Sequence, residues 1–131
     1  MWDLKPLFRL QMAYLLLWSS IERYVSLRYN LADKVNPKIG KFGQELAFRS
    51  AVSQYVSERR EVARADDPQE KAVLDPQSPA SAVDYYYRIR SNITHRGKGL
   101  PRDHATLLKS ATELLAIFCR VLEQAKKDAQ P

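Results

Sequence analysis

Apolar side chains recur at helical spacing near both ends of the chain. Leu7, Leu10, Tyr14, Leu17, Trp18, Ile21, Val25 and Leu27 form a wide apolar face and predict a long, largely buried helix from about Pro6 to Tyr29. Leu107, Leu108, Ala111, Leu114, Leu115, Phe118, Val121 and Leu122 repeat the i, i+3, i+4, i+7 rhythm and predict a last helix from about Pro101 to Lys127. Lys126 and Lys127 stand where cations favour a helix C-terminus.

Between these ends the pattern is broken more often. Asn36, Pro37, Gly40 and Gly43 read as an interruption, followed by a helix from about Gln44 to Arg60 with Leu46, Ala47, Ala51, Val52, Tyr55 and Val56 inward. Residues 61 to 80 read as a long connection around two turn signals, ADDP and LDPQSP. Asp67 is placed to cap a short helix there, with Pro68 in its first position and QEKAVL forming one or two turns. The segment SAVDYYYRIRSNITH reads as a further helix, opened by Ser81 and Asp84 and stopped by Gly97. No strand pattern, internal repeat, low-complexity tract or coiled-coil heptad seam is evident, so the expectation is an all-α bundle of four or five helices. The 131 residues fit a single domain, 1–131.

Charge changes this picture in one region. The chain carries a formal +6, with 21 Lys and Arg against 15 Asp and Glu, and residues 85 to 104 hold Arg88, Arg90, Arg96, Lys98 and Arg102 against Asp103 alone. A concentrated basic segment suits a phosphate-bearing or acidic partner; otherwise it is a solvated basic loop. The single cysteine excludes an intramolecular disulfide and fits a reducing compartment. Its neighbours in IFCRVL make Cys119 a buried small hydrophobe by expectation. LQMAYLLLW resembles a signal-peptide core, yet Asp3 precedes it, no small-residue cleavage site follows, and it is too short to span a bilayer. The expectation is therefore a cytoplasmic protein with no membrane partner, in which the sequon at Asn92 is accidental.

Most enzyme signatures are missing: there is no phosphate-cradling glycine loop, HExxH, CxxC or nucleophile elbow. His95, His104 and Cys119 make a poor metal set, so no metal and no cofactor is expected. What remains is Arg90 and His95, five positions apart in RIRSNITHRGKG. RNA carries its own nucleophile, the ribose 2′-hydroxyl. Its cleavage needs one group to take that proton, another to protonate the leaving 5′-oxygen, and positive charge at the phosphate. Imidazole suits the first task and guanidinium the last. Five positions on a regular helix leave the two residues about 140° apart, so a second copy across a symmetric interface supplies the missing groups more easily.

The segment YYRIRSNITHRGKG resembles the HEPN family (higher eukaryotes and prokaryotes nucleotide-binding domain), especially its Apea-like branch. FRLQMAYLLLWSSIERYVSL is similar to that branch's first long helix. The family pattern is an arginine, usually followed by a polar residue, and a histidine after four to six positions. The resemblance implies an HEPN-like helical bundle that dimerises and, in active members, cleaves RNA without a metal, often as a toxin or phage-defence effector restrained by an antitoxin or defence-system partner. It makes Arg90 the motif arginine and His95 the motif histidine, with Ser91 where active members usually carry Asn, Asp or His, and Asn92 one step later. Arg88 also satisfies the longest spacing, but Ile89 after it is apolar, so Arg88 is expected to contact phosphate.

Around that pair, Arg96, Lys98 and Arg102 are expected phosphate contacts, with a solvated loop as the alternative. Ser91, Asn92, Glu22 and Tyr87 are candidate supporting residues. Glu22 is placed to pair with Arg90 or Arg88, or else belongs to an ordinary charged surface. Tyr85, Tyr86 and Tyr87 cannot all face one core, so one or more is expected to reach a partner protomer or an RNA base. His104 is a second candidate for proton transfer, or a plain exposed histidine. The alternative to a ribonuclease is a noncatalytic HEPN-like domain that binds RNA or a protein, and a third reading is a structural assembly subunit.

Overall fold

The computed structural model describes residues 5–31, 35–96 and 103–130. In chain order these form α1 (Lys5–Tyr29), α2 (Val35–Gln44), α3 (Leu46–Tyr55), β1 (Arg60–Arg64), β2 (Asp67–Leu74), a single 3-10 turn at Pro79–Ser81, α4 (Ala82–Arg96) and α5 (Asp103–Ala129). The fold is mainly helical, and the two-stranded antiparallel sheet corrects the all-α expectation.

Helix α1 follows its apolar spacing. Leu7, Gln11, Tyr14, Trp18, Ile21 and Val25 are buried, alternating steps of four and three along one face. The helix ends on Asn30, which adopts a positive φ of 54°, while the Leu31 amide donates to the Ser26 carbonyl at 3.2 Å. A left-handed residue after the last turn and this reach-back bond satisfy carbonyls that the helix end leaves open.

The interruption expected at Asn36, Pro37, Gly40 and Gly43 is instead a ten-residue helix, α2. Pro37 falls in its first turn, where no backbone N–H is needed for the ladder. Gly43 lets α2 approach α4 closely, since a Cβ there would lie 2.5 Å from Val83 Cγ1. The helix predicted from Gln44 to Arg60 is shorter, ending at Tyr55, and Val56 turns extended.

Residues 60–74 form a hairpin where a short helix at Pro68 was expected. Arg60 pairs with Leu74, Glu61 with Val73 and Val62 with Ala72, and the register slips between Ala63 and Arg64. Ala72 and Leu74 are buried and Val62 is packed against the core, so one face of the hairpin lies inward at a period of two. Diagonal pairing of Lys71 with Glu61 at 3.2 Å adds a cross-strand ion pair on the outer face. Packing and pairing thus override a local Asp-Pro signal for a helix start.

One buried cluster draws on all five helices and on β2. Trp18 meets Phe42 and Tyr87 edge-on, with ring centroids 6.3 and 5.3 Å apart, and Phe42 also contacts Phe48 and Phe118. Helices α1 and α5 run parallel: Leu7 shares a cleft with Leu107, and Arg28 reaches Asp128. Cys119 is exposed, which corrects its expected burial. Phe118 takes the inward position, and the next residue is turned 100° away from it. Among the described residues no helix is long and apolar enough to cross a membrane.

Candidate nucleic-acid interface

Helix α4 aims its three tyrosines at three different elements. Tyr85 is buried under the hairpin, where Arg60 Nε donates to its hydroxyl at 3.3 Å and the Arg60 guanidinium lies 5.4 Å from its ring centre. Tyr86 is buried against α5, with its hydroxyl donating to Glu113 Oε1 at 3.1 Å. Its carbonyl accepts from the Tyr14 hydroxyl at 2.6 Å. Tyr87 is half-buried against Trp18 of α1. The core consumes Tyr85 and Tyr86, so of the three rings only the half-buried Tyr87 is left partly open for the outward contact expected of at least one.

Arg90 lies beside Tyr87, with its guanidinium 5.4 Å from the ring centre and Nη1 donating to the Tyr87 hydroxyl at 3.4 Å. Its Nε is buried without a hydrogen-bond partner, and among the described residues Arg90 forms no ion pair. Arg88 points elsewhere, because two positions along a helix turn the side chain by about 200°. Its Nη2 lies 3.6 Å from Glu70 Oε1 on β2, and its Nη1 is buried and unpartnered.

Glu22 pairs with neither arginine, and one of its carboxylate oxygens is itself buried without a partner. Glu70 takes the place expected for Glu22, because the hairpin covers the side of α4 that carries Arg88. Asn92 is also committed to the hairpin. Its Nδ2 donates to the Ala63 carbonyl and its Oδ1 accepts from the Ala65 amide, both at 2.9 Å. The side chain expected to support the site thus ties the turn of the hairpin to α4. Ser91 is half-buried.

The α4 backbone is helical through His95 and Arg96, so it does not loosen before Gly97, and Arg90 and His95 stay about 140° apart around its axis. The side chains of His95 and Arg96 lie outside the described set, as do residues Lys98 and Arg102 altogether. His104, in the first turn of α5, is half-buried.

Sequence reasoning missed the buried polar group beneath this surface. Arg60 grips Glu113 with both terminal nitrogens, Nη1 reaching Oε2 at 2.9 Å and Nη2 reaching Oε1. Burial disfavours the Arg60 charge, but the hydrogen bonds it donates to Glu113 and Tyr85 outweigh it and raise the guanidinium pKa. Burial, with the Glu113 charge beside it, also raises the Tyr86 hydroxyl, and burial raises Tyr14. The signal was Glu113 itself, a carboxylate beside Leu114 on the inward side of a stripe that is apolar but for the buried Ser110.

A second polar cluster occupies the far end of the molecule. Glu45 Oε1 accepts from Tyr24 at 2.7 Å and Tyr29 at 2.6 Å, and Arg28 bridges Glu45 to Asp128 at 3.3 Å each. Burial and donation to Glu45 push the Tyr29 hydroxyl up to about 12 and raise Tyr24 as well. A cleft of about 620 Å³ lies here between α1, α3 and α5, and Arg90 does not line it. Its Arg28, Arg120 and Lys127 are balanced by Glu45, Glu123 and Asp128, so it is no basic groove. Among the described residues there is no group of His, Cys, Asp and Glu that could hold a metal ion.

In comparisons with known proteins, no family model, no curated protein and no solved structure matches the chain. The HEPN resemblance therefore rests on the two sequence segments that carry it.

Proposed function

We propose that the protein is a metal-independent HEPN-type endoribonuclease acting as a homodimer, with Arg90 and His95 as the working pair. The observation that supports this best is the state of Arg90. Its guanidinium is held against the Tyr87 ring, its Nε is buried without a hydrogen-bond partner, and among the described residues no carboxylate pairs with it, whereas Arg88 two positions earlier meets Glu70. A positioned guanidinium of this kind suits the negative charge that gathers on a phosphate during cleavage. His95 lies on the same helix, five positions on.

In this reading His95 takes the proton from a ribose 2′-hydroxyl, the 2′-oxygen attacks phosphorus, and the bond to the 5′-oxygen breaks. The leaving oxygen gains a proton from a second group, supplied by the other copy or by His104. The products are a 2′,3′-cyclic phosphate and a 5′-hydroxyl. Arg88, Arg96, Lys98 and Arg102 hold the strand, and a cytoplasmic toxin or defence role calls for an antitoxin or trigger.

A noncatalytic HEPN-like domain that binds RNA or a protein is the second reading. It is favoured by the commitment of Asn92 to the hairpin and by Ser91 at the position after the motif arginine. End-group analysis of RNA incubated with the chain in EDTA separates the two. Cyclic phosphate ends support the nuclease; intact RNA that stays bound supports the binding domain.

A further inference from the structure

Leucines on α5 belong to two stripes, and only the fold separates them. Leu107, Leu114, Ile117, Phe118 and Val121 enter the core. Leu108, Thr112, Leu115, Cys119 and Leu122 form a second line on the outer face, spaced four, three, four and three residues apart. All five are exposed, the leucines by 49%, 52% and 41% in order. This is a heptad seam with leucine at every d position and Thr112 and Cys119 at a, continued by Lys126 at the next a. It was invisible in the sequence because the inner stripe fills the gaps between its members.

We propose that this seam is the docking surface for a second copy of the chain, with the two α5 helices packed antiparallel. A heptad stripe is complementary to itself, since knobs at a and d fit holes between the same positions on an identical helix, and a two-fold axis closes the pair. From Leu108 to Leu122 the seam runs about 21 Å. It is continued sideways by a groove lined by Tyr24, Leu27 and Ala125, in which Leu27 is 72% exposed, so the apolar contact extends onto α1. The helices are already folded on the core, so association need not order them.

Charge chooses the direction. In the antiparallel register that sets Cys119 against Leu115 of the other copy, Lys109, which also holds Glu58 of its own chain at 2.8 Å, and Glu123 flank the seam and face each other's counterparts, opposite charges in both places. A parallel pairing instead sets Lys126 directly against Lys126 in the a layer. The inference rests on α5 alone and is independent of the proposed catalysis, since the seam is turned away from the Glu113 side of α5 that packs against α4.

Sedimentation equilibrium of the full chain, from micromolar to millimolar concentration, tests it. The expected result is a dimer that Leu115→Glu weakens by roughly a hundredfold, with helical content unchanged by circular dichroism. Under mild oxidation Leu115→Cys is expected to cross-link to Cys119 of the other copy. The wild type should not cross-link, because its two cysteines stand about 6 Å apart along the axis in addition to the helix separation. A chain that stays monomeric throughout would overturn the proposal. Helix α1 has a separate exposed apolar line at Phe8, Met12 and Leu16, and a dimer that survives Leu115→Glu but is lost in Met12→Glu would also overturn it. Efficient Cys119 cross-linking in the wild type would overturn the antiparallel register.

Discussion

Two arginines on neighbouring elements are used in opposite ways. Arg60, at the start of the hairpin, turns its side chain inward and is neutralised by Glu113, whereas Arg90 sits on the Tyr87 ring with no ion pair among the described residues. The first is a structural ion pair, and breaking it by removing one partner leaves a charge without compensation. Glu113→Gln is expected to lower unfolding stability by roughly 3 kcal/mol in urea titration. Replacing both partners, with Arg60→Met and Glu113→Leu, should restore much of that loss. A single-variant cost below about 1 kcal/mol would show that Arg60 can swing into water. The tyrosine hydroxyls give a second residue-scale test. Tyr14, Tyr24, Tyr29 and Tyr86 all have raised pKa values in the folded chain. Their stabilising contribution is complete below the ordinary tyrosine value near 10 and is lost as pH rises through the folded values, about 12 for Tyr29. Urea midpoints should therefore fall steeply above pH 10, and Tyr24→Phe with Tyr29→Phe should flatten that fall. At this scale the sequence made Arg90 and His95 stand out, yet it could not assign the tyrosines, because three adjacent rings on a helix look alike until their three partners are known.

At the scale of elements, the hairpin and α4 act as one unit. Asn92 bonds the backbone at the end of β1 and in the hairpin turn, Arg88 meets Glu70, and Tyr85 lies beneath Arg60. Asn92→Ala leaves two backbone groups without these partners, which is expected to cost about 1 to 3 kcal/mol. Hydrogen exchange should quicken at Ala65 and along β1 and β2 while α1 and α5 keep their protection. Unchanged exchange in the hairpin would mean that water replaces Asn92 freely. The long helices α1 and α5 were legible because their core faces persist for about four to five turns. The hairpin was not, because only Val62, Ala72 and Leu74 mark its inner face, and Asp67 with Pro68 imitates a helix start. Helix α2 was hidden for a related reason. Pro37 and Gly43 are breakers in isolation, but one sits in a first turn and the other makes room for Val83.

At the scale of the whole molecule, the described surface has two distinct ends. The Glu45 cluster closes one end with balanced charge, and α4 carries Arg90, which has no ion pair among the described residues, toward the other. Charge placement was readable in the sequence, since it depends only on residue order. The outer seam of α5 was not, since recognising it requires knowing which leucines the core removes. The central claim is that Arg90 and His95 together cleave RNA. The measurement that tests it most directly is cleavage of a mixed RNA pool in EDTA by the wild type, Arg90→Ala and His95→Ala, at matched folding and self-association. The account predicts cyclic phosphate and 5′-hydroxyl ends from the wild type, and at least a hundredfold slower cleavage by each variant. Equal cleavage by all three, or none by the wild type while RNA remains bound, would contradict it.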